Sequence, residues 1–244
     1  MDPLSQGIVG SVAAQQKSSK EKILLITIIG FLSGMAPDLD VFIRSSHDPL
    51  LAIEFHRQFT HSLIFIPFGG FICGTFFYHV LTKRKGMSIK ETYFYCTLAY
   101  ASHGILDACT SYGTQLFWPF NDFRVAWNTI SIIDPIFTIT LFTLVFLSIF
   151  RRKTIFARIA LIWVITYMSI GLIQHNRAEK VGLLNADSRG HIPARIIVKP
   201  SLANLLVWKV IYEADEKYYV DAVKVGFNSK VIKGASIDKL NVKN

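Results

Sequence analysis

Cysteine is scarce in this 244-residue chain: Cys73, Cys96 and Cys109 are the only three, and they sit in or beside apolar runs at no metal-ligand spacing. That excludes a disulfide framework and a thiolate zinc site, and it reads the three as small buried hydrophobes. Acidic residues are also few, 17 against 26 lysines and arginines. The resulting surplus of +9 suggests nucleic-acid binding, but its distribution argues against that. The basic residues gather in short loops between apolar runs: Lys17, Lys20 and Lys22; Lys83, Arg84, Lys85 and Lys90; Arg151, Arg152, Lys153 and Arg158. Positive charge in such loops sets membrane orientation, so no nucleic-acid partner is expected. The chain also lacks internal repeats and low-complexity runs. With no basic leader segment and no clear cleavage site, a removed signal peptide is not expected.

What is present is apolar bulk. Half of the residues are hydrophobic and 19 are Phe, a composition of polytopic membrane proteins rather than of soluble domains. Apolar segments run over 23–36, 62–81, 92–110, 130–150 and 155–173. The last four have the ~20 residues that span a bilayer as a helix. The first is short and meets Pro37, which is expected to stop or kink it. Residues 3–16 follow Asp2-Pro3, an N-cap with proline at the first helical position. Segments 3–16 and 23–36 read as a hairpin of short helices turning at the basic loop 17–22. Beyond about residue 180, stretches 192–198, 206–214 and 217–225 are rich in Val, Ile, Tyr and Trp. They read as strands, with a turn between Glu213 and Lys217.

The expected fold is an all-α polytopic membrane helical bundle of about 4–5 spanning helices plus a short N-terminal helix, with a small C-terminal β-rich appendage. The division is 1–178 for the membrane domain and 179–244 for the appendage. The positive-inside rule places loops 17–22, 82–91 and 151–154 in the cytoplasm, and loops 37–61 and 111–129 with everything after 173 outside. That orientation implies a multi-pass protein of the cell membrane whose tail faces outward.

On this map the ionisable residues at the segment ends fall on one side: Asp38, Asp40, His56, His61, Asp107 and Asp134 at the outer face, and His103 one helical turn deeper. Ionisable groups at membrane depth are expensive and usually mark function. Asp38 and Asp40 flank one residue after Pro37; in an extended segment both would share a face. His103 and Asp107 stack at i, i+4 on a helix, where both can bind one metal or the carboxylate can orient the imidazole. His56 and His61 bracket Arg57 and Thr60, with Ser62 following. Two imidazoles, a guanidinium and hydroxyls suit metal ligation beside an anionic group. Asp134, followed by Pro135, reads equally as a helix N-cap. His175 reads as interfacial, His47 and His79 as bystanders, and His191 has no partner in sequence. Mixed His and carboxylate donors suit a divalent zinc ion, with manganese or iron as alternatives, and this many carboxylates can accommodate a second ion.

The chain resembles the YdjM-like family of membrane-bound metal-dependent hydrolases. The resemblance rests on Met1-Asp2-Pro3-Leu4-Ser5-Gln6, Pro37-Asp38-Leu39-Asp40, His56-Arg57-Gln58-Phe59-Thr60-His61-Ser62 and His103-Gly104-Ile105-Leu106-Asp107. It continues through Thr110-Ser111-Tyr112-Gly113-Thr114, Trp118-Pro119-Phe120 and Ser131-Ile132-Ile133-Asp134-Pro135. The combination of the three ionisable motifs is specific, and it implies a helical membrane protein with metal-dependent hydrolase activity. The functional expectation is hydrolysis at the outer membrane face of phosphoester or lipid-like substrates. Asp38, Asp40, His56, His61, His103 and Asp107 would be metal ligands, Arg57 an electrostatic clamp, and Asp134 a further ligand or base. Membrane lipids are the expected surroundings and substrate source. A metal or proton transporter, and a non-catalytic interaction protein with a structural metal, are the alternatives. A ladder of ionisable groups crossing to the cytoplasm, the mark of a relay, is missing from the sequence.

Overall fold

Helix α1 (Pro3–Gln15) starts as its sequence requires: Asp2 caps it by accepting the Ser5 amide, and Pro3 occupies the first turn. Helix α2 (Ile23–Met35) returns antiparallel to it. The pair approach closely because Gly10, Gly30 and Gly34 face one another; a Cβ on Gly10 would lie 2.6 Å from the Gly30 carbonyl oxygen. Small residues at the crossing are how helices pack in lipid. A computed structural model provides these coordinates and describes residues 1–44, 48 and 51–240. His47 lies outside the described residues.

A short helix α3 (Leu51–Phe55) leads towards α4 (Ile66–Phe77), and α5 (Ile89–Ala108) opens on a capping box between Ser88 and Glu91. Helices α6 (Pro135–Arg151) and α7 (Ile155–Asp187) complete the bundle. Helix α5 is central, packed by α1, α2 and α4. The outer helices turn large hydrophobics outward, among them Phe68, Phe71, Ile72 and Phe76 on α4, and Ile136, Ile139, Phe142 and Phe146 on α6. Inward, α7 presents mostly small residues, Ala157, Ala160, Gly171 and Ala178, beside Tyr167, and α6 packs Phe137 and Leu141. The many large apolar side chains turned outward fit a lipid solvent.

One expectation needs correction. Among the described residues, three helical segments are long and apolar enough to cross a membrane, Ile23–Phe42, Leu63–Lys85 and Ile155–Asp187, rather than four or five. Helix α6 is apolar but only 17 residues long, ending at Arg151. Helix α5 has 20 residues, but its buried side carries Thr92, His103 and Asp107, because neighbouring helices rather than lipid surround it. As expected, the α-helix stops at Met35 just before Pro37; a 3-10 helix, Ala36–Phe42, then carries the segment on to spanning length. Proline at the first helical turn removes only an amide that has no partner there.

The basic loops gather at one end of the bundle. Lys22 reaches the Gly86 carbonyl at 3.5 Å, Tyr95 donates to the Lys17 carbonyl, and Gln16 donates to the Ala157 carbonyl. From there α7 runs 33 residues, about 50 Å at 1.5 Å per residue, well past a ~30 Å hydrocarbon core. Its far end carries the tail, a meander of β1 (Arg195–Pro200), β2 (Val207–Ala214), β3 (Lys217–Val225) and β4 (Ser229–Asp238), all antiparallel in sequential order. The β2–β3 turn holds Asp215 and Glu216 at φ 50° and 57°, the left-handed pair that a two-residue hairpin needs. Strand β4 was not legible in the sequence: it is an exposed edge with little apolar alternation.

The sheet buries alternate residues, Trp208, Val210 and Tyr212 on β2 and Val223 and Val225 on β3. Gln174 donates to the Val225 carbonyl and Arg177 to the Gly226 carbonyl, which seats the sheet on α7. His175 stands edge-on to Trp208, and His191 finds partners after all, lying against Tyr219 and 3.0 Å from the Tyr212 hydroxyl. Trp208→Ala should cost this seat about 3–5 kcal/mol, the usual range for a buried aromatic. Limited proteolysis of detergent-solubilised protein should then cut the strands of the variant at protease levels that leave the native chain whole; equal resistance would refute the packing role.

Candidate metal centre

Three segments meet at the bundle end opposite the basic loops. The 3-10 turn after α2 supplies Asp38 and Asp40, the stretch before α4 supplies His56, Arg57 and His61, and the end of α5 supplies His103 and Asp107. The segment after α2 coils rather than running extended, yet Asp38 and Asp40 still each offer an oxygen to one group with His56. Asp38 faces His61 and His103, whereas Asp40 turns to the segment 56–61.

Asp40 is almost wholly buried and organises that segment. One oxygen lies 2.8 Å from His56 Nδ1; the other accepts the Arg57 amide and the Thr60 hydroxyl. The Arg57 backbone has φ 65°, a left-handed conformation unfavourable for a residue with a side chain. Its amide on Asp40 and its carbonyl, which accepts the Gln115 amide, hold it there. Strained backbone of this kind concentrates at functional sites. The Arg57 guanidinium reaches inward to 3.2 Å from Asp107 Oδ2, bonds Thr110 Oγ1 and covers the Tyr112 ring.

His61 is brought onto α5 by a close backbone contact. A Cβ at position 104 would collide with the His61 carbonyl, so only glycine admits it. Tyr100 donates to the neighbouring Thr60 carbonyl and fixes the same stretch. His103 Nδ1 lies 2.6 Å from the Gly34 carbonyl. A carbonyl only accepts, so Nδ1 carries the proton and Nε2 offers its lone pair to the site.

The donor atoms converge closely. His103 Nε2 is 3.0 Å from His61 Nε2 and 3.3 Å from Asp38 Oδ1. His61 Nε2 is 3.4 Å from Asp38 Oδ1 and 3.5 Å from Asp107 Oδ2, and His103 Nε2 is 4.0 Å from Asp107 Oδ2. A tetrahedron with zinc-type bonds of about 2.0–2.2 Å has edges of about 3.3–3.6 Å, so the set has the right size for one ion. Asp107 adds a second sign: its Oδ2 is buried and accepts no hydrogen bond. Its Oδ1 is engaged by Gln6 and by the Met1 amino group. Burial alone would push the His61 pKa down, but Asp107, Asp38 and Asp40 around it raise it to about 10.

Among the described residues, two groups could hold a metal ion: Asp38, His61, His103 and Asp107, and Asp38, Asp40 and His56. Asp38 belongs to both. All six residues expected as ligands therefore stand in one or the other, and Arg57 sits against them. Asp134 stands apart, capping α6 by accepting the Phe137 amide and the Tyr167 hydroxyl. Sequence reading overlooked Gly104, Thr110 and the Gly34 carbonyl. Gly104 had a signal, since glycine inside a helix costs about 1 kcal/mol and usually marks a close approach.

The architecture is that of a helical membrane protein with a buried histidine–carboxylate centre at one end of its bundle. The chain belongs to the YdjM inner membrane protein family, whose model matches residues 1–178. No curated protein and no solved structure was found to match it.

In most exposed helices Gly→Ala stabilises by about 1 kcal/mol. Gly104→Ala should do the opposite, lowering the melting temperature and the metal content measured by elemental analysis; a more stable, fully metallated variant would disprove the contact. Thr60→Val removes the hydroxyl that orients Asp40 and should weaken metal binding roughly 10–100-fold, as loss of such outer partners does, read by competition with a chelating dye.

Proposed function

We propose that this chain is a membrane-bound, metal-dependent hydrolase acting on phosphoester or lipid-like substrates. The observation that carries the reading is the sharing of Asp38 between a closed group and an open one. The inner group offers four protein donors, the number that closes a tetrahedral site. The outer group offers three, and its His56 side chain is 32 % exposed, leaving room for water and substrate. Zinc suits the mixed donors best, with manganese or iron as alternatives. When bound, such an ion supplies hydroxide near neutral pH and polarises a phosphoryl oxygen.

The chain's own residues supply the rest. His103, its Nδ1 proton held by Gly34, and His61, steadied by the Thr60 hydroxyl, keep their Nε2 atoms turned inward. The Arg57 guanidinium, only partly neutralised by Asp107, is placed to attract an anionic group and to stabilise charge that builds on it. Asp134 keeps the start of α6 in place. The positive-inside rule puts the basic end in the cytoplasm and the centre, with the 179–244 domain, outside. A cysteine introduced as Phe227→Cys, at a fully exposed position, should therefore react with an impermeant maleimide added to spheroplasts; protection until lysis would reverse the orientation.

The decisive measurement is metal content of purified full-length protein, native against His56→Ala/His61→Ala. At least one zinc, manganese or iron per chain in the native protein, lost in the double variant, supports the reading. No metal in either after reconstitution removes it. In loaded protein, Arg57→Ala should lower kcat/KM for an aryl phosphoester by about 10²–10³, the usual effect of deleting one charge-stabilising donor.

A further inference from the structure

Helices α2 and α4 both lean on α5 but hardly touch each other. Between them lies a cavity of about 820 Å³, within the roughly 300–1,000 Å³ of small-molecule sites. Its walls are Leu32 and Met35 from α2 and Ile72, Cys73, Phe76 and Phe77 from α4. Asp38, His56 and Arg57 line the same cavity. It therefore joins the metal centre to apolar surface without a barrier between them.

The position of the walls says what fits. Phe76 lies about 15 Å below the start of α4 at Ile66, at 1.5 Å per residue. That is half of a ~30 Å hydrocarbon core, the depth of one leaflet. Leu32, Ile72 and Phe76 are each 43 % exposed or more on helices that meet lipid, so the cavity opens sideways into the bilayer rather than only to water. At the other end, Arg57 supplies positive charge beside the metal-binding carboxylates. A ligand complementary to both ends has an anionic head and a hydrocarbon tail.

We propose that the groove between α2 and α4 is the tail subsite for a membrane phospholipid, which enters laterally and presents its phosphate to the Asp38–His56–Arg57 end. This rests on the hydrolase reading for what happens to the phosphate, but not for binding. A soluble phosphoester would leave the groove empty and gain nothing from it. Each methylene buried there adds favourable transfer free energy, so affinity grows with chain length.

The test is native mass spectrometry of zinc-loaded full-length protein in nonionic detergent, with dioleoyl and dihexanoyl phosphatidic acid as probes. Lipid retained intact or as its dephosphorylated product counts as occupancy. The native chain should hold the long-chain lipid roughly tenfold or more tighter than the short one. Ile72→Trp, which fills the groove, should erase that preference while metal content stays at the native level. Phe71→Trp, on the same helix but outside the groove, should leave it intact. Equal retention of both lipids, or equal effects of the two substitutions, overturns the groove. Long-chain lipid bound with the expected preference but never cleaved would instead remove the hydrolase reading and leave the groove standing. Cleavage of a soluble phosphoester without chain-length preference would do the reverse.

Discussion

The buried Asp40 carboxylate holds three consecutive features of the 56–61 segment at once: the His56 ring, the left-handed Arg57 amide and the Thr60 hydroxyl. The placement of His56, Arg57 and His61 at the centre leans on this anchorage. Were the segment free, Arg57 would relax to ordinary backbone geometry, its guanidinium would leave Asp107, and His61 would lose its seat on Gly104. A buried carboxylate is itself costly unless each oxygen is bonded, and here both are. The bonds that satisfy Asp40 are the same ones that position the site, so one constraint serves fold and function together.

Around this anchorage the bundle uses small residues rather than large ones. Glycines bring α1 against α2, α4 against α5 and the His61 backbone against α5. Where lipid is the solvent, apolar side chains gain little by turning inward, and close backbone packing does more. Many large side chains on α4, α6 and α7 face outward, while Phe77, Phe137, Leu141 and Tyr167 pack inside. The exception is the gap between α2 and α4, where both helices pack on α5 and leave an apolar space that reaches the metal-binding residues.

The tail follows the opposite rule. Its sheet alternates buried and exposed residues, places Trp208 at its core and joins α7 through Gln174, Arg177, and the ion pair of Arg189 with the buried Asp221. Burial by alternation is the logic of a half-covered antiparallel sheet. The change from one rule to the other occurs along a single helix, since α7 begins among the basic loops and ends under the strands.

Periodicity, charge and capping chemistry are local, and they were legible: the Asp2-Pro3 start of α1, the basic loops, the β2–β3 turn and the segment ends where acidic residues and histidines stand. Local signals misjudged the number of spanning helices, because burial of α5 by its neighbours is not a local property. They also missed β4, whose exposed edge carries no apolar pattern. The sequence by itself determined which residue types were present to bind a metal and at which end of the helices they lay. Only the tertiary structure decided that Asp38 belongs to both groups while Asp40 holds the 56–61 segment, that Asp134 stays at its cap, and that Gly104 makes room for His61. The reason is physical: Asp38, His61 and the His103–Asp107 pair lie far apart along the chain, and helix packing, not spacing, sets the few ångströms between their donor atoms.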